Sequence, residues 1–270
     1  MGRGIELAVL GAVGLNGDNF LQLIGERGVP VSGLQVLDSD IHLGRKVNVG
    51  GKLLPLDSYN DFSFEGVDLV IACGTIPDAV ITRALEQGCT LIGPLNGADN
   101  ENQPVVADIN ADRLELSKGH YFGVPTAISS VLATLLSPLH DEAGLLAVDV
   151  TWIGAVGNSG RNAVEGLAHE TAQLLGGKSV AARAYSEKIA FNMLAFDSQA
   201  EIGHFDRLWQ ALWGEELDFN LDLVTAPLFF GDMVSIGITL EQAMDENELK
   251  QLLVSLPWIK QAKVKGDVLL

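Results

Sequence analysis

Three glycines, at positions 11, 14 and 17 of the run GAVGLNG, stand where an apolar stretch, IELAVLG, gives way to a helical one. Backbone without a Cβ can come close to a phosphate, and the N–H groups of a helix start offer it partial positive charge. Val13 lies inside this loop. Asp38 ends the next apolar stretch, GLQVLDSD, about 20 residues on, where an acid can accept hydrogen bonds from a ribose diol. The chemistry is dinucleotide binding, with NAD or NADP as the cofactor. An acid at position 38 favours NAD, though the same acid can equally be a solvated strand end. Other reactive side chains make weaker cases. Glu165 and His169 are four apart in a helical stretch, a spacing able to hold a metal. The sequence places no third ligand beside them, so a solvated helix face is expected and no metal site is assigned. Cys73 ends an apolar run, and burial there would raise its thiol pKa and work against a nucleophilic role. Cys89 is the only other cysteine, so two reduced core thiols are expected.

These residues must be positioned by secondary structure, and the pattern supplies it. IELAVLG reads as a strand buried on both faces, followed by a helix from Asp18 to Arg27 that Gly28 stops. GLQVLDSD, VDLVIACG and CTLIG read as further strands, with a helix over PDAVITRALEQG between the last two. This alternation predicts an α/β fold, a doubly wound Rossmann-type domain over residues 1–118. Beyond it, PVVADIN is expected as a short strand in the connection. A helix over Thr126–Leu136, a strand LLAVDVTW and a helix SGRNAVEGLAHETAQLLGG come next. Two strands flanking Gly231 and Asp232, a helix over EQAMDENELKQLLVSL and a strand IKQAKVK complete the chain. Residues 119–270 therefore read as an α+β domain. Trp209 and Trp213 recur at helical spacing and are expected to pack.

Composition narrows the function classes. The chain has 270 residues, 47% of them apolar, and a formal net charge of −18. That charge works against nucleic-acid binding, because a phosphate backbone would be repelled. No run reaches the roughly 18 apolar residues of a spanning helix, and no signal-type start is present, so a cytoplasmic protein without a membrane partner is expected.

Seven motifs, in order, carry a resemblance. GAVGLNG resembles G-A-T-G-x-V-G, with Val13 for Thr; VDLVIACGT, ending in Gly74, resembles V-D-x-x-x-x-S-x-G-G; QPVVADIN resembles V-P-L-V-V-P-E-V-N. Residues 123–145 resemble N-P-N-C with its long helix and K-P-L-H-D-x-x-G-L, and AVGNSGRNAV resembles A-V-S-G-A-G-R-x-A-V. IAFNML and TAPLFFGD complete the set, the latter resembling R-V-P-V-x-x-G-H. Together they resemble the aspartate-β-semialdehyde dehydrogenase family nearly end to end. The resemblance implies a Rossmann-type domain and a dimerisation domain, hence a homodimer or a heterodimer with a catalytic relative. It also implies an NADPH-dependent interconversion of aspartyl phosphate and its semialdehyde, run by a cysteine nucleophile, a histidine base, an orienting glutamine and arginines for carboxylate and phosphate. Gly11, Val13, Gly14, Gly17, Asp38 and Gly74 fall at the cofactor positions.

The catalytic positions do not carry over. The nucleophile position falls on Ala127, whose methyl cannot form a thioacyl bond. The base position falls on Asp232, which reads better as a turn residue after Gly231. The glutamine position is Gly154 and the substrate-arginine position Thr225. GPLNGADNEN, where a phosphate-binding arginine is expected, has no basic residue; Ile41 stands near the NADP-phosphate arginine, with Arg45 and Lys46 following. Arg207 is a remote substitute for a lost contact. Family members also continue past the strand matching AKVKGDVLL, so a shortened C-terminus and an incomplete cofactor wall are expected. Such groups act as a unit, and losing the nucleophile alone costs several orders of magnitude in rate. The expectation is a non-catalytic, divergent paralogue; the alternative is an active NAD(P)-dependent semialdehyde dehydrogenase with relocated groups.

Overall fold

A computed structural model describes residues 4–95, 103–113, 119–257, 259–260, 264–265 and 268–269. The first unit contains β1 (Ile5–Leu10), α1 (Leu15–Arg27), β2 (Val31–Asp38), β3 (Lys46–Val49), β4 (Lys52–Pro55), β5 (Asp57–Ser58) and β6 (Leu69–Ala72). It continues with α2 (Asp78–Glu86), β7 (Thr90–Pro94), β8 (Gln103–Pro104), α3 (Ala107–Asn110) and β9 (Tyr121–Val124). Its sheet has the order β5-β2-β1-β6-β7-β9-β8, and every pairing is parallel. β1 shows why the stretch from Leu7 to Leu10 had to be continuously apolar. Ala8 and Leu10 pack on one face with Phe64, Val80 and Leu91. Leu7 and Val9 pack on the other with Leu21, Ile24 and Val36. Each fully buried aliphatic side chain of this kind contributes about 1.5–3 kcal/mol.

The expected strand over PVVADIN is replaced by β8 and the one-turn helix α3. The Asn110 side chain accepts from the Val106 N–H (2.9 Å) and donates to the Pro104 carbonyl (2.8 Å), closing the turn on itself. β9 lies beyond residue 118 yet pairs with β7 in the first sheet.

The second unit runs through α4 (Ala127–Ala143), β10 (Leu145–Ala155), α5 (Arg161–Leu175), β11 (Leu194–Phe196) and α6 (Gln199–Trp213). β12 (Asp218–Ala226), β13 (Met233–Leu240) and α7 (Glu246–Ser255) follow, with β14 (Val264–Lys265) and β15 (Val268–Leu269) as a terminal pair. Its sheet has the order β11-β12-β10-β13 and mixes a parallel β10–β12 pair with antiparallel neighbours. α4 outruns its expected end at Leu136 and passes through Pro138. Leu132, Ala133, Leu136, Leu139 and Ala143 are all buried along one stripe, and that packing outweighs the lost backbone bond. Across from it, Phe205 and Phe219 stack at 4.1 Å between centroids, as do Trp209 and Trp213, so both tryptophans pack.

Candidate functional site

Gly11 follows β1, and its φ of +73° suits glycine. The Gly11 N–H donates to the Leu37 carbonyl at 3.0 Å, fastening the loop to β2. A Cβ on Gly17 would lie 2.4 Å from the Gly11 oxygen and 2.7 Å from Ala12 Cα, so only glycine lets α1 begin this close beneath the loop. Gly14 is the N-cap of α1, exposed, and no side chain caps the helix there. Gly74 follows β6 with open space where a Cβ would stand, and its nitrogen is 3.6 Å from the position of a Gly11 Cβ. Gly11, Val13, Gly14, Gly17, Asp38 and Gly74 thus converge at the carboxyl ends of β1, β2 and β6. A loop drawn close over α1 by Gly17, with Gly14 exposed, open space at Gly74 and an uncapped helix start, has the room and the free N–H groups that a dinucleotide pyrophosphate needs.

Asp38 is 7% exposed and already occupied. Its carboxylate accepts from the Val13 N–H (2.9 Å) and the Ser39 N–H (2.7 Å), and lies 2.9 Å from His42 Nδ1. Burial alone would raise its pKa, but the His42 hydrogen bond and the two amides outweigh that and hold it below its usual value. Ile41, Arg45 and Lys46 are exposed, and among the described residues the only ion pair made by Asp38 is with His42.

Ala127 is the first residue of α4, and it is exposed. The neighbouring polar groups turn to a residue that the sequence did not single out. Thr126 caps α4, accepting the Ser129 N–H at 3.1 Å, and its hydroxyl donates to Glu201 Oε1. The Ser129 hydroxyl donates to the same oxygen at 2.7 Å. His204, one turn along α6, brings Nδ1 to 4.0 Å from Glu201 Oε2, and that nitrogen is buried with no hydrogen-bond partner among the described residues. The sole sequence signal was the three-residue spacing of Glu201 and His204.

Gly154 and Thr225 face each other across the β10–β12 pairing. With Ile128, Trp152, Tyr185 and Phe196 they line an open, largely apolar recess of about 160 Å³. Asp232 follows Gly231 (φ +90°) and closes the same end of the sheet. Its carboxylate accepts from Trp152 Nε1 (2.9 Å), the Ala155 N–H (2.8 Å) and Asn158 Nδ2 (2.8 Å). It acts as a clasp.

The remaining candidates lie apart. Arg161, at the start of α5, pairs with Asp18 in the first turn of α1, joining the two units beside the glycine loop. Cys73 has its thiol pKa pushed up to about 11 by burial, and Cys89 is fully buried. Arg207 Nε donates to the Gly203 carbonyl at 3.0 Å. Glu165 and His169 are exposed on α5. Most of the GPLNGADNEN stretch, residues 96–102, lies outside the described residues.

A family model, "Semialdehyde dehydrogenase, dimerisation domain", matches residues 136–265. A USG-1 protein homolog of Azotobacter vinelandii is 30% identical over 272 residues, spanning 96% of this chain and 81% of that protein. The solved structure of a probable aspartate-semialdehyde dehydrogenase from Pseudomonas aeruginosa superposes with a TM-score of 0.86 at 28% identity, over 94% of this chain and 80% of that one. The chain belongs to the aspartate-semialdehyde dehydrogenase family. Within the family the fold likeness extends to the Candida albicans aspartate-semialdehyde dehydrogenase solved with NADP, at 15% identity and a TM-score of 0.66, covering 92% of this chain and 76% of that one. Among the described residues no helix is long and apolar enough to cross a membrane.

Proposed function

We propose that this family member is non-catalytic: a cytoplasmic, dinucleotide-binding homodimer that keeps the frame of the dehydrogenase without its chemistry. The observation that carries this reading is the exposed methyl of Ala127 at the start of α4, where the resemblance calls for a nucleophile. The other roles are vacated in step. Asp232 spends its carboxylate on three donors, and among the described residues the recess beside Gly154 and Thr225 has no basic side chain in its lining. An aspartyl phosphate would find little to neutralise its charges there.

The dinucleotide half of the proposal rests on the Gly11–Gly17 cradle. Gly17 lets the backbone approach, Gly14 leaves the start of α1 open, and Gly74 leaves room across the cleft. A nicotinamide dinucleotide, NAD or NADP, supplies hydride transfer when bound in active relatives; here it would serve as the sensed ligand. The dimer half rests on the matched dimerisation domain and on Phe191, Met193, Leu228, Phe229, Phe230 and Met233, all at least 45% exposed. A heterodimer with a catalytic relative would use the same surface.

One cluster favours the second reading, an enzyme with relocated groups. Thr126 and Ser129 both donate to Glu201, with His204 alongside. The experiment that separates the readings supplies purified protein with aspartate semialdehyde, phosphate and either NAD or NADP. No reduction above blank is expected. Steady reduction that disappears in Glu201→Gln would overturn the non-catalytic reading.

A further inference from the structure

The proposed dinucleotide site carries an inference about which dinucleotide it takes, and this inference rests on that proposal. In a doubly wound sheet the carboxyl end of the second strand meets the adenosine ribose, so the groups at that point decide whether a 2′-hydroxyl or a 2′-phosphate is accepted. β2 ends at Asp38. Its carboxylate is not a loose surface acid: the Val13 and Ser39 amides and His42 Nδ1 fix its position. Two residues on, Asp40 is fixed as well. The Ser58 hydroxyl donates to one of its oxygens, and Asn60 Nδ2 to the other at 3.0 Å. Ser58 belongs to β5, which extends the sheet beyond β2, so both carboxylates are tied to the rim of one sheet end.

We propose that Asp38 and Asp40 form a fixed anionic rim at the ribose corner, so that the site takes NAD and rejects the 2′-phosphorylated form. The rim stays ionised at neutral pH. For Asp38 burial opposes ionisation, but its hydrogen bonds to His42 and the two amides prevail; for Asp40 the Ser58 and Asn60 donors lower the pKa. A phosphate placed against two hydrogen-bonded carboxylates meets like charge. His42 Nδ1 is engaged by Asp38 at 2.9 Å and so does not turn toward the corner. Neither Arg45 nor Lys46 pairs with either acid. Val13 adds a second effect: its amide is held by Asp38, so the acid that charges this corner also sets the shape of the glycine loop.

Calorimetric titration of the full chain with NAD and with NADP tests this. The expected result is NAD binding at least about tenfold tighter, equivalent to about 1.4 kcal/mol. Asp40→Lys should narrow or invert that ratio in a chain that circular dichroism shows to be folded. Asp38→Asn keeps an acceptor for the Val13 amide while removing charge, and should raise NADP affinity. Equal or tighter binding of NADP by the unaltered chain overturns the inference and leaves dinucleotide binding standing. A preference for NAD that survives both substitutions also overturns it. If neither dinucleotide binds, the inference and the reading it rests on fall together.

Discussion

Asp232 stands where the family resemblance puts a proton-transfer group, and its surroundings give it another job. Three donors from β10 and the turn after it end on its two oxygens. Asp232→Ala leaves the buried Trp152 indole and the Ala155 amide without their acceptors. A loss of about 1–3 kcal/mol in unfolding free energy is expected, measured by urea denaturation, with no change in dinucleotide affinity. Asp38 makes a different prediction because it titrates. Its folded pKa lies below its unfolded value, so its stabilisation is full above about pH 4 and is lost as pH falls through the folded pKa. Asp38→Asn should therefore be less stable than the unaltered chain at pH 7, and the gap should close as pH falls below the folded pKa. A gap that persists unchanged in acid would show that charge is not what Asp38 contributes. Ala127 and Asp232 were legible in the sequence because motif order locates them. Glu201 was not: its donors Ser129 and Thr126 are 72 and 75 residues away along the chain, and only folding joins them.

Elements show the same division between local and non-local signals. The glycine loop was readable because β1, Gly11–Gly17 and α1 are contiguous and each residue's role is set by its neighbours. Gly17→Ala tests that claim against Gly14→Ala. At 17 a methyl meets backbone atoms that cannot rotate away, and a cost of about 1–3 kcal/mol is expected in thermal or urea unfolding. At 14 the nearest atom is 3.6 Å away, so the fold should keep its melting temperature while dinucleotide titration weakens. Equal destabilisation by both would show that close approach is not the reason for glycine at 17. The hairpin of β3 and β4 was missed although its strands flank Gly50 and Gly51, both with positive φ. Its strands are short and join neither main sheet; Val47 is held instead by α1 residues, a contact that no local pattern announces. The extension of α4 past Pro138 was hidden for the same reason, since the apolar stripe that sustains it acts through packing on the second sheet.

At the scale of the molecule, the two units meet where the glycine loop meets α5. Arg161 and Asp18 join across that seam, and because both are about half exposed the pair contributes no more than about 1 kcal/mol. The proposed assembly would have a larger driving force. Leu194 pairs with Thr225, so Phe191 and Met193 leave the sheet at the end where Leu228, Phe229 and Phe230 begin their turn. This brings exposed apolar side chains from both segments to one end of β11 and β12. For the proposed dimer, Phe230→Asp should shift the molecule to a monomer in light scattering coupled to gel filtration, with secondary structure unchanged by circular dichroism. A dimer that survives that substitution would place the interface elsewhere. The outer strands of the two sheets differ in a way that bears on the chain's behaviour under stress. β5 and β8 are two residues each, and the latter ends in a proline; a foreign strand finds few backbone groups to grip along either. β13 offers eight residues and pairs on one side alone within its sheet. Fibril-like growth from partly unfolded protein would therefore start from that long border of the second unit, while the parallel sheet of the first unit, blunted at both margins, is the last to be recruited.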